Sequence, residues 1–363
     1  MNIAQPNNHH KSATVAVALS GGVDSAVAAA LLQQQGYQVT GFYMKNWTDI
    51  GQANYRAEEN CPWMQDYADA QAVCQHLNIP CEIVHFEKEY RERVLAYFLE
   101  EYKNNRTPNP DVMCNTEIKF KAFLEHAQKL GFQYMATGHY ARTKNNQLLR
   151  GVDPNKDQSY FIYHLNQEQL KQVLFPIGHL LKPAVRKLAQ NFNLPVAKKP
   201  DSQGLCFIGD INFSKFLEQY LPHEPGNMML LDNDKKTKIV GEHKGLAYYT
   251  IGQRYGINIG GTGPYYVVEK RVADNTLVIC QGKDNPALFT KQFSFTNEHW
   301  VSGKRPAETF NCTVKVRYRS PDTACTVTKD NIVMLDKPER AITPGQFAVF
   351  YQDDVVLGGG VIV

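Results

Sequence analysis

The sequence predicts an α/β protein in three parts: a parallel-sheet domain, a small β-rich domain and a C-terminal β-barrel. Three observations carry this. Residues 14 to 139 alternate short apolar runs with longer helical patterns, the order produced by parallel strands joined through right-handed crossover helices. From Gly226 onward the helical pattern gives way to short β runs broken by Gly, Asp-Asn and Pro, the texture of small β domains and barrels. Between the first two runs, Ser20-Gly21-Gly22-Val23-Asp24-Ser25 places two glycines where a strand must turn into a helix.

The elements follow in order. Thr14 to Leu19 is continuously apolar, as a strand buried on both faces must be. The Ala-rich run from Asp24 to Gln35 reads as a helix and Gln38 to Met44 as the second strand. Cys61 to Asn78 has helical spacing, and Glu82-Ile83-Val84-His85-Phe86 is a third strand. Lys88 to Asn104 and Thr116 to Leu130 read as helices; Pro108 and Pro110 keep the intervening segment non-helical. Tyr134 to Thr137 is the fourth strand, ending at Gly138-His139. Lys182 to Asn193 reads as a helix with Pro183 in its first turn, followed by a helix from Asn212 to Leu221. The β runs are Ala247 to Thr250, Tyr265 to Glu269 and Thr276 to Cys280, then Cys312 to Arg319, Cys325 to Val327 and Gln346 to Gln352. Domain boundaries are expected at 1–222, 223–286 and 287–363, with Asn285-Pro286 marking the second junction.

Composition excludes several classes. A chain of 363 residues exceeds one ordinary core, so two or three domains are expected. With 39 basic and 36 acidic residues the net charge is +3, so any nucleic-acid surface is a local patch. No apolar segment is long enough to span a bilayer, and the polar stretch Met1 to Lys11 lacks a signal-peptide core. His9 and His10 in that stretch read as solvated, and no residue is assigned to a metal site. The eight cysteines include no C-x-x-C spacing, so a cytoplasmic protein with reduced thiols is expected.

The glycine turn has the chemistry of a phosphate site. Backbone N–H groups freed by Gly21 and Gly22 close around an anion, and the following helix adds its positive dipole end. Ser20 and Ser25 add hydroxyl donors; Asp24 can cap the helix or hold a metal beside the phosphates, and both readings stand. Neither G-x-x-x-x-G-K-[ST] nor G-x-G-x-x-G is present. The pattern S-G-G-x-D-S resembles the pyrophosphate loop of the ATP pyrophosphatase superfamily. That resemblance implies ATP, with Mg2+ at its phosphates, split between the α and β phosphates to adenylate an oxygen. Ala18, Leu19, Ser20, Gly21, Gly22, Val23, Asp24 and Ser25 are the candidate ATP contacts. Met44 and Gly138, at the carboxyl ends of neighbouring strands, are candidate adenosine contacts.

Two cysteines stand apart. Cys114 precedes the helix expected from Thr116, and a helix N-terminus favours a thiolate. Asp111, three residues before it, can relay a proton. Cys206 lies in the Gly-flanked stretch from Ser202 to Gly209, where reactive groups are reachable. Local physics leaves nucleophile and structural thiol both open for these two. Cys61, Cys74, Cys81, Cys280, Cys312 and Cys325 lie in or beside apolar segments and read as structural. Lys182, Arg186, Lys187, Lys198 and Lys199 read as a solvated basic surface, with tRNA as the alternative neighbour.

Asn109-Pro110-Asp111 with Cys114-Asn115, Ala136-Thr137-Gly138-His139-Tyr140, Lys156-Asp157-Gln158-Ser159-Tyr160 and Ser202-Gln203-Gly204-Leu205-Cys206-Phe207 follow the glycine turn in order. Gly252-Gln253-Arg254, Val316-Arg317-Tyr318-Arg319 and Thr343-Pro344-Gly345-Gln346 come later. Together they resemble the tRNA-specific 2-thiouridylase family of bacterial wobble-uridine thiolases, from about Ala16 to the C-terminus.

The resemblance implies ATP-dependent transfer of sulfur to C2 of the wobble uridine, in tRNAs for Lys, Glu and Gln. It assigns Cys206 as persulfide carrier, loaded by a donor protein (a cysteine desulfurase or a persulfide relay protein). It assigns Cys114 as the nucleophile that resolves to a Cys114–Cys206 disulfide; release of hydrogen sulfide by Cys114 remains an alternative. It assigns tRNA contacts to Asn109, Pro110, Asp111, His139, Lys156, Asp157, Gln158, Arg317, Tyr318 and Gln346. Rival readings are another ATP pyrophosphatase such as a GMP synthetase-like or lysidine-forming enzyme, an iron–sulfur thiolase, and a non-enzymatic RNA-binding protein.

Overall fold

The computed structural model describes residues 13–47, 62–201, 213–232, 236–260 and 263–363. Its first sheet grows from β1 (Thr14–Leu19), whose apolar side chains are buried from Val15 on. β1 runs parallel to β2 (Gln38–Lys45), and β2 to β3 (Cys81–His85). On the other side of β1 lie β4 (Tyr134–Ala136) and then β7 (Val173–Leu174), also parallel. The order β3-β2-β1-β4-β7 reverses direction at β1, where ligands bind in sheets of this kind.

Helix α1 (Val23–Gln34) connects β1 to β2, and α2 (Pro62–Leu77) precedes β3. The small side chains of Ala26 and Ala28 let α1 pack against Val185 and Ala189 of the Lys182–Asn191 helix. The chain from Glu87 to Lys103 is helical, with wider π-type turns over Tyr90–Leu95. The helix expected from Thr116 begins instead at Pro110 and runs on through Lys129. Pro110 occupies its first turn, where a missing N–H costs nothing, and the Asn109 side chain caps it by accepting from Val112 N at 3.2 Å.

Between β4 and β7 the chain forms a hairpin, β5 (Ala141–Lys144) and β6 (Gln147–Arg150). Asn145 and Asn146 both take left-handed backbone angles, as a two-residue hairpin turn requires. This hairpin pairs with the C-terminal barrel through Leu149 and Val355. Arg142 reaches Asp354 at 2.8 Å and Arg150 reaches Asp322 at 2.7 Å across the same seam.

The middle part has β8 (Gly226–Leu231), β9 (Thr237–His243), β10 (Tyr265–Arg271) and β11 (Thr276–Gln281) in the order β10-β11-β8-β9. Met228, Val267, Leu277 and Ile279 form its core. The strand expected over Ala247 to Thr250 is instead a tight helical turn at Leu246–Tyr248. The barrel uses β12 (Phe289–Trp300), β13 (Phe310–Lys315), β14 (Thr323–Val327), β15 (Ile332–Arg340), β16 (Phe347–Gln352) and β17 (Val355–Ile362). Pairing of β12 with β17 closes the ring around Phe295, Val314, Val327 and Phe350. The strand expected to reach Arg319 stops at Lys315, because Ser320 Oγ accepts from the N–H groups of Val316 and Arg317 and turns the chain.

Cys74, Cys280, Cys312 and Cys325 are buried and Cys81 is partly so; Cys61 and Cys206 lie outside the described residues. Cys312 and Cys325 face each other directly across β13 and β14, with sulfurs 3.6 Å apart. Among the described residues no helix is long and apolar enough to cross a membrane.

His164 packs against Tyr163 and His299, and its Nδ1 is sealed without a partner. Burial, with a smaller effect of His299, holds its pKa down at about 3. The unfolded chain therefore takes up this proton first, at about pH 6.5, and stability falls between there and pH 3. Between pH 7 and pH 5 this one group is expected to remove about 2 kcal/mol. Urea titrations should show a shallower acid loss for His164→Phe; an identical loss in both proteins contradicts the assignment.

Candidate nucleotide and thiol site

The turn at Ser20–Ser25 sits at the carboxyl end of β1, where the sheet order reverses. Gly21 takes φ +70°, and a Cβ there would lie 2.3 Å from the Asp66 carbonyl oxygen of α2. Gly138, just after β4, faces the other side; a Cβ on it would lie 2.5 Å from Ser25 N. Ser25 Oγ accepts from Ser20 N at 3.2 Å and donates to the Gly22 carbonyl at 3.2 Å. Gly22 caps α1 in an extended conformation with no side-chain acceptor, so the N–H donors of the first turn are left for an anion.

Asp24 does not cap the helix. Its carboxylate accepts from Lys182 Nζ at 2.8 and 2.9 Å and from the Tyr140 hydroxyl at 2.9 Å. Burial, then Asp24, pushes the Tyr140 phenol up, so it remains a donor. Lys182 also bonds Asp201 at 2.7 Å, and Lys156 and Arg186 each reach Asp201 at 2.6 Å. Desolvation would raise Asp201, but hydrogen bonds from Lys156 and Lys182 hold it at about 2. Lys199 donates to the Gly21 carbonyl at 3.1 Å and to Asp66 and Asp69. Desolvation would lower its pKa; the two carboxylates outweigh that and raise it.

This corrects the reading of Lys182, Arg186 and Lys199 as a solvated surface; only Lys187 and Lys198 of that group are exposed. Their carboxylate partners lie far away in sequence, and no local pattern announces them. Among the described residues no group of three or more His, Cys, Asp or Glu side chains is arranged to hold a metal ion.

Cys114 lies one turn into the helix that Asn109 caps, fully buried in the main core with Tyr90, Val112 and Ile118. Asp111 is in that helix's first turn, partly exposed, and its carbonyl accepts from Asn115 Nδ2 at 2.9 Å. The lead-in to this helix is gripped from two sides. Gln346 Nε2 donates to the carbonyls of Thr107 and Pro108 at 2.8 and 3.1 Å, and Thr107 N donates to Pro344 O at 2.9 Å. Lys270 of the middle part donates to Asn105 O at 3.1 Å, and Thr107 Oγ1 meets Thr250 Oγ1 at 3.2 Å.

The remaining candidates fall into two sets. Lys156 stands beside the turn through Asp201, and Gln158 Oε1 accepts from Tyr140 N at 3.0 Å. Tyr318 lies with its ring 4.4 Å from that of Phe161. His139 is buried against Phe120 and Phe175, with Nδ1 2.7 Å from Thr137 Oγ1, and burial, then Lys119, keeps it well below the usual histidine range. Asp157 is buried, accepting from Gly151 N, Ser159 N and Ser159 Oγ. Arg317 donates to the carbonyls of Arg340 and Ala341 at 2.6 and 2.9 Å. Ala18, Leu19, Val23 and Met44 are buried, Met44 in the main core.

The close approach at Gly138 yields a test. Gly138→Ala forces its Cβ into the first turn of α1 and is expected to weaken binding of an ATP analogue by about tenfold or more. Gly260→Ala, where the added carbon meets open space, is the control that keeps binding. Calorimetry on both variants decides; equal binding by the two contradicts the site.

Three family models match successive stretches of the chain. Residues 13–210 match the family described as the tRNA methyl transferase HUP domain, 214–281 the tRNA methyl transferase PRC-barrel domain, and 290–362 the aminomethyltransferase beta-barrel domain. A tRNA-specific 2-thiouridylase MnmA from Proteus mirabilis is 51% identical, covering 96% of both chains. One from Geobacillus kaustophilus is 50% identical over 96% of this chain and 94% of its own. A third, from Alkaliphilus oremlandii, is 49% identical over 97% of each. With half of all positions shared along nearly its whole length, this chain belongs to the tRNA-specific 2-thiouridylase family.

Proposed function

We propose that this protein replaces the C2 oxygen of the wobble uridine of tRNA with sulfur, spending ATP to activate the carbonyl. The observation that carries this is the glycine turn at the sheet's reversal point, ringed by Lys156, Lys182, Arg186 and Lys199. It supports binding of a polyphosphate by the backbone donors from Gly21 to Ser25, with the adenosine toward Met44 and Gly138. A carbonyl oxygen is a poor leaving group. Attack of the C2 oxygen on the α phosphorus, with loss of the N3 proton, expels pyrophosphate and leaves AMP as the group to be displaced.

Sulfur then arrives as a persulfide on Cys206. Its terminal sulfur attacks C2 and AMP departs; the Cys114 thiolate attacks the Cys206 sulfur, freeing 2-thiouridine and leaving a Cys114–Cys206 disulfide. A thiol reductant restores the pair. In the alternative division Cys114 attacks the persulfide first and releases hydrogen sulfide, which attacks C2. Asp111 takes up the proton of the Cys114 thiol in either route. Asp24, now bonded to Lys182 and Tyr140, would be the carboxylate to hold Mg2+ at the phosphates, where the ion would neutralise phosphate charge.

The target base must leave its stack, which costs a few kcal/mol. Asn109, Pro110, Lys156, Gln158 and Tyr318 are read as contacts to the tRNA. His139, Asp157, Arg317 and Gln346, which bond inward, are read as holding that surface in shape. The tRNAs for Lys, Glu and Gln are the proposed substrates, and a cysteine desulfurase or persulfide relay protein the donor. Reliance on reduced thiols suits the cytoplasm. The three parts are assigned to 1–222, 223–286 and 287–363.

A methyl-transfer reading draws on the family descriptions alone and leaves the phosphate-binding turn without a task. The test substitutes Cys114→Ser and Cys206→Ser separately and measures AMP, pyrophosphate and 2-thiouridine. Both variants should release pyrophosphate with tRNA present yet form no 2-thiouridine, and with Cys206→Ser the AMP should stay attached to the tRNA. Full thiolation by either, or a methylated product from the parent protein, overturns the proposal.

A further inference from the structure

We infer that Cys74 and Cys81 form a reversible redox site, which a peroxide oxidises to an internal disulfide on the face of the parallel sheet away from Cys114.

The fold brings these two thiols together. Cys74 lies in the last turn of α2 and Cys81 opens β3. The short chain between them is pinned. Asn78 takes a left-handed φ of 52° where the helix ends, Ile79 N donates to Cys74 O at 3.0 Å, and Gly41 N donates to Pro80 O at 2.9 Å. In the parallel register of β2 and β3, Gly41 stands beside Cys81, and register partners project from the same face of a sheet. A Cβ on Gly41 would lie 2.5 Å from Cys74 Sγ. The Cys74 sulfur therefore fills the space that Gly41 leaves open next to Cys81. Both cysteines pack in the cluster of Val39 and Tyr43. Cys114 packs with Phe42 and Met44, on the opposite face of β2, so the sheet itself separates the two thiol sites.

The roles divide by access. Cys81 is partly exposed and Cys74 is buried. A hydrogen bond from the Cys74 thiol holds the Cys81 thiol below its ordinary range, against burial and the Glu82 charge. The same bond, then burial, keeps Cys74 protonated. A reachable sulfur with thiolate character beside a second thiol is the arrangement that reversible oxidation uses. Cys312 and Cys325 also stand together, but both are sealed in the barrel core, where an oxidant has no entry.

The Cys81 thiolate attacks one oxygen of hydrogen peroxide. The O–O bond breaks, hydroxide leaves with its electron pair and takes up the proton shed by Cys81, and Cys81 becomes a sulfenic acid. The Cys74 sulfur then attacks the Cys81 sulfur. The S–O bond breaks, and the departing hydroxide takes the Cys74 proton. Two thiols are oxidised to one disulfide while one peroxide is reduced to two waters. A dithiol reductant reverses the change by exchange.

The experiment exposes the full, reduced chain to hydrogen peroxide, alkylates the remaining thiols in denaturant and maps the disulfides by mass spectrometry. A Cys74–Cys81 bond that a dithiol reductant removes is the expected product. Cys280, fully buried with its pKa pushed up to about 11 by burial, is the internal control. Cys81 should be oxidised at least about tenfold faster than Cys280. Cys74→Ala should leave Cys81 as a sulfenic acid that dimedone traps, and Cys81→Ala should leave Cys74 reduced. Cys81 joined to any other cysteine, Cys81 oxidised no faster than Cys280, or Cys74 oxidised in the Cys81→Ala variant would each overturn the inference.

Discussion

At Gly21 and Gly138 two neighbouring segments approach the end of β1 so closely that neither position has space for a single added carbon. The close approach brings the start of α2, the end of β4 and the first turn of α1 around one small volume. Into that volume point the unpaired backbone donors of α1 and the carboxylate of Asp24. The Lys182–Asn191 helix then packs on the alanine face of α1 and delivers Lys182 to Asp24. Sequence, packing and charge thus converge on one place at the carboxyl end of β1.

The barrel and middle part act on the second half of the site through the backbone before Cys114. Gln346 and Pro344 from one side, and Thr250 and Lys270 from the other, hold residues 105 to 108 by hydrogen bonds to main-chain groups and to the Thr107 side chain. That segment ends at Asn109, which caps the helix carrying Asp111 and Cys114. The β5–β6 hairpin ties the same barrel to the parallel-sheet part at a second seam.

The parallel sheet was legible because buried strands are continuously apolar and the connecting helices have their own period. The turn was legible because its glycines and serines are adjacent. What escaped was set by distant partners. Pro110 reads as a breaker in isolation and as a first-turn residue once Asn109 caps it. Lys182, Arg186 and Lys199 read as solvated until Asp24, Asp66, Asp69 and Asp201 stand opposite them. The hairpin had a local signal, Asn145-Asn146, whose tolerance of left-handed backbone marks a two-residue turn. Ala247 to Thr250 has β composition but lies where the chain must bend.

The account turns on one bond, that between the uridine C2 oxygen and the α phosphorus of ATP. A tRNA carrying oxygen-18 at C2 of the wobble uridine, incubated with the protein, ATP and a sulfur source, follows that oxygen directly by mass spectrometry. The account predicts the label in AMP, with none in pyrophosphate. Label appearing in water or in pyrophosphate, with 2-thiouridine formed, would contradict it.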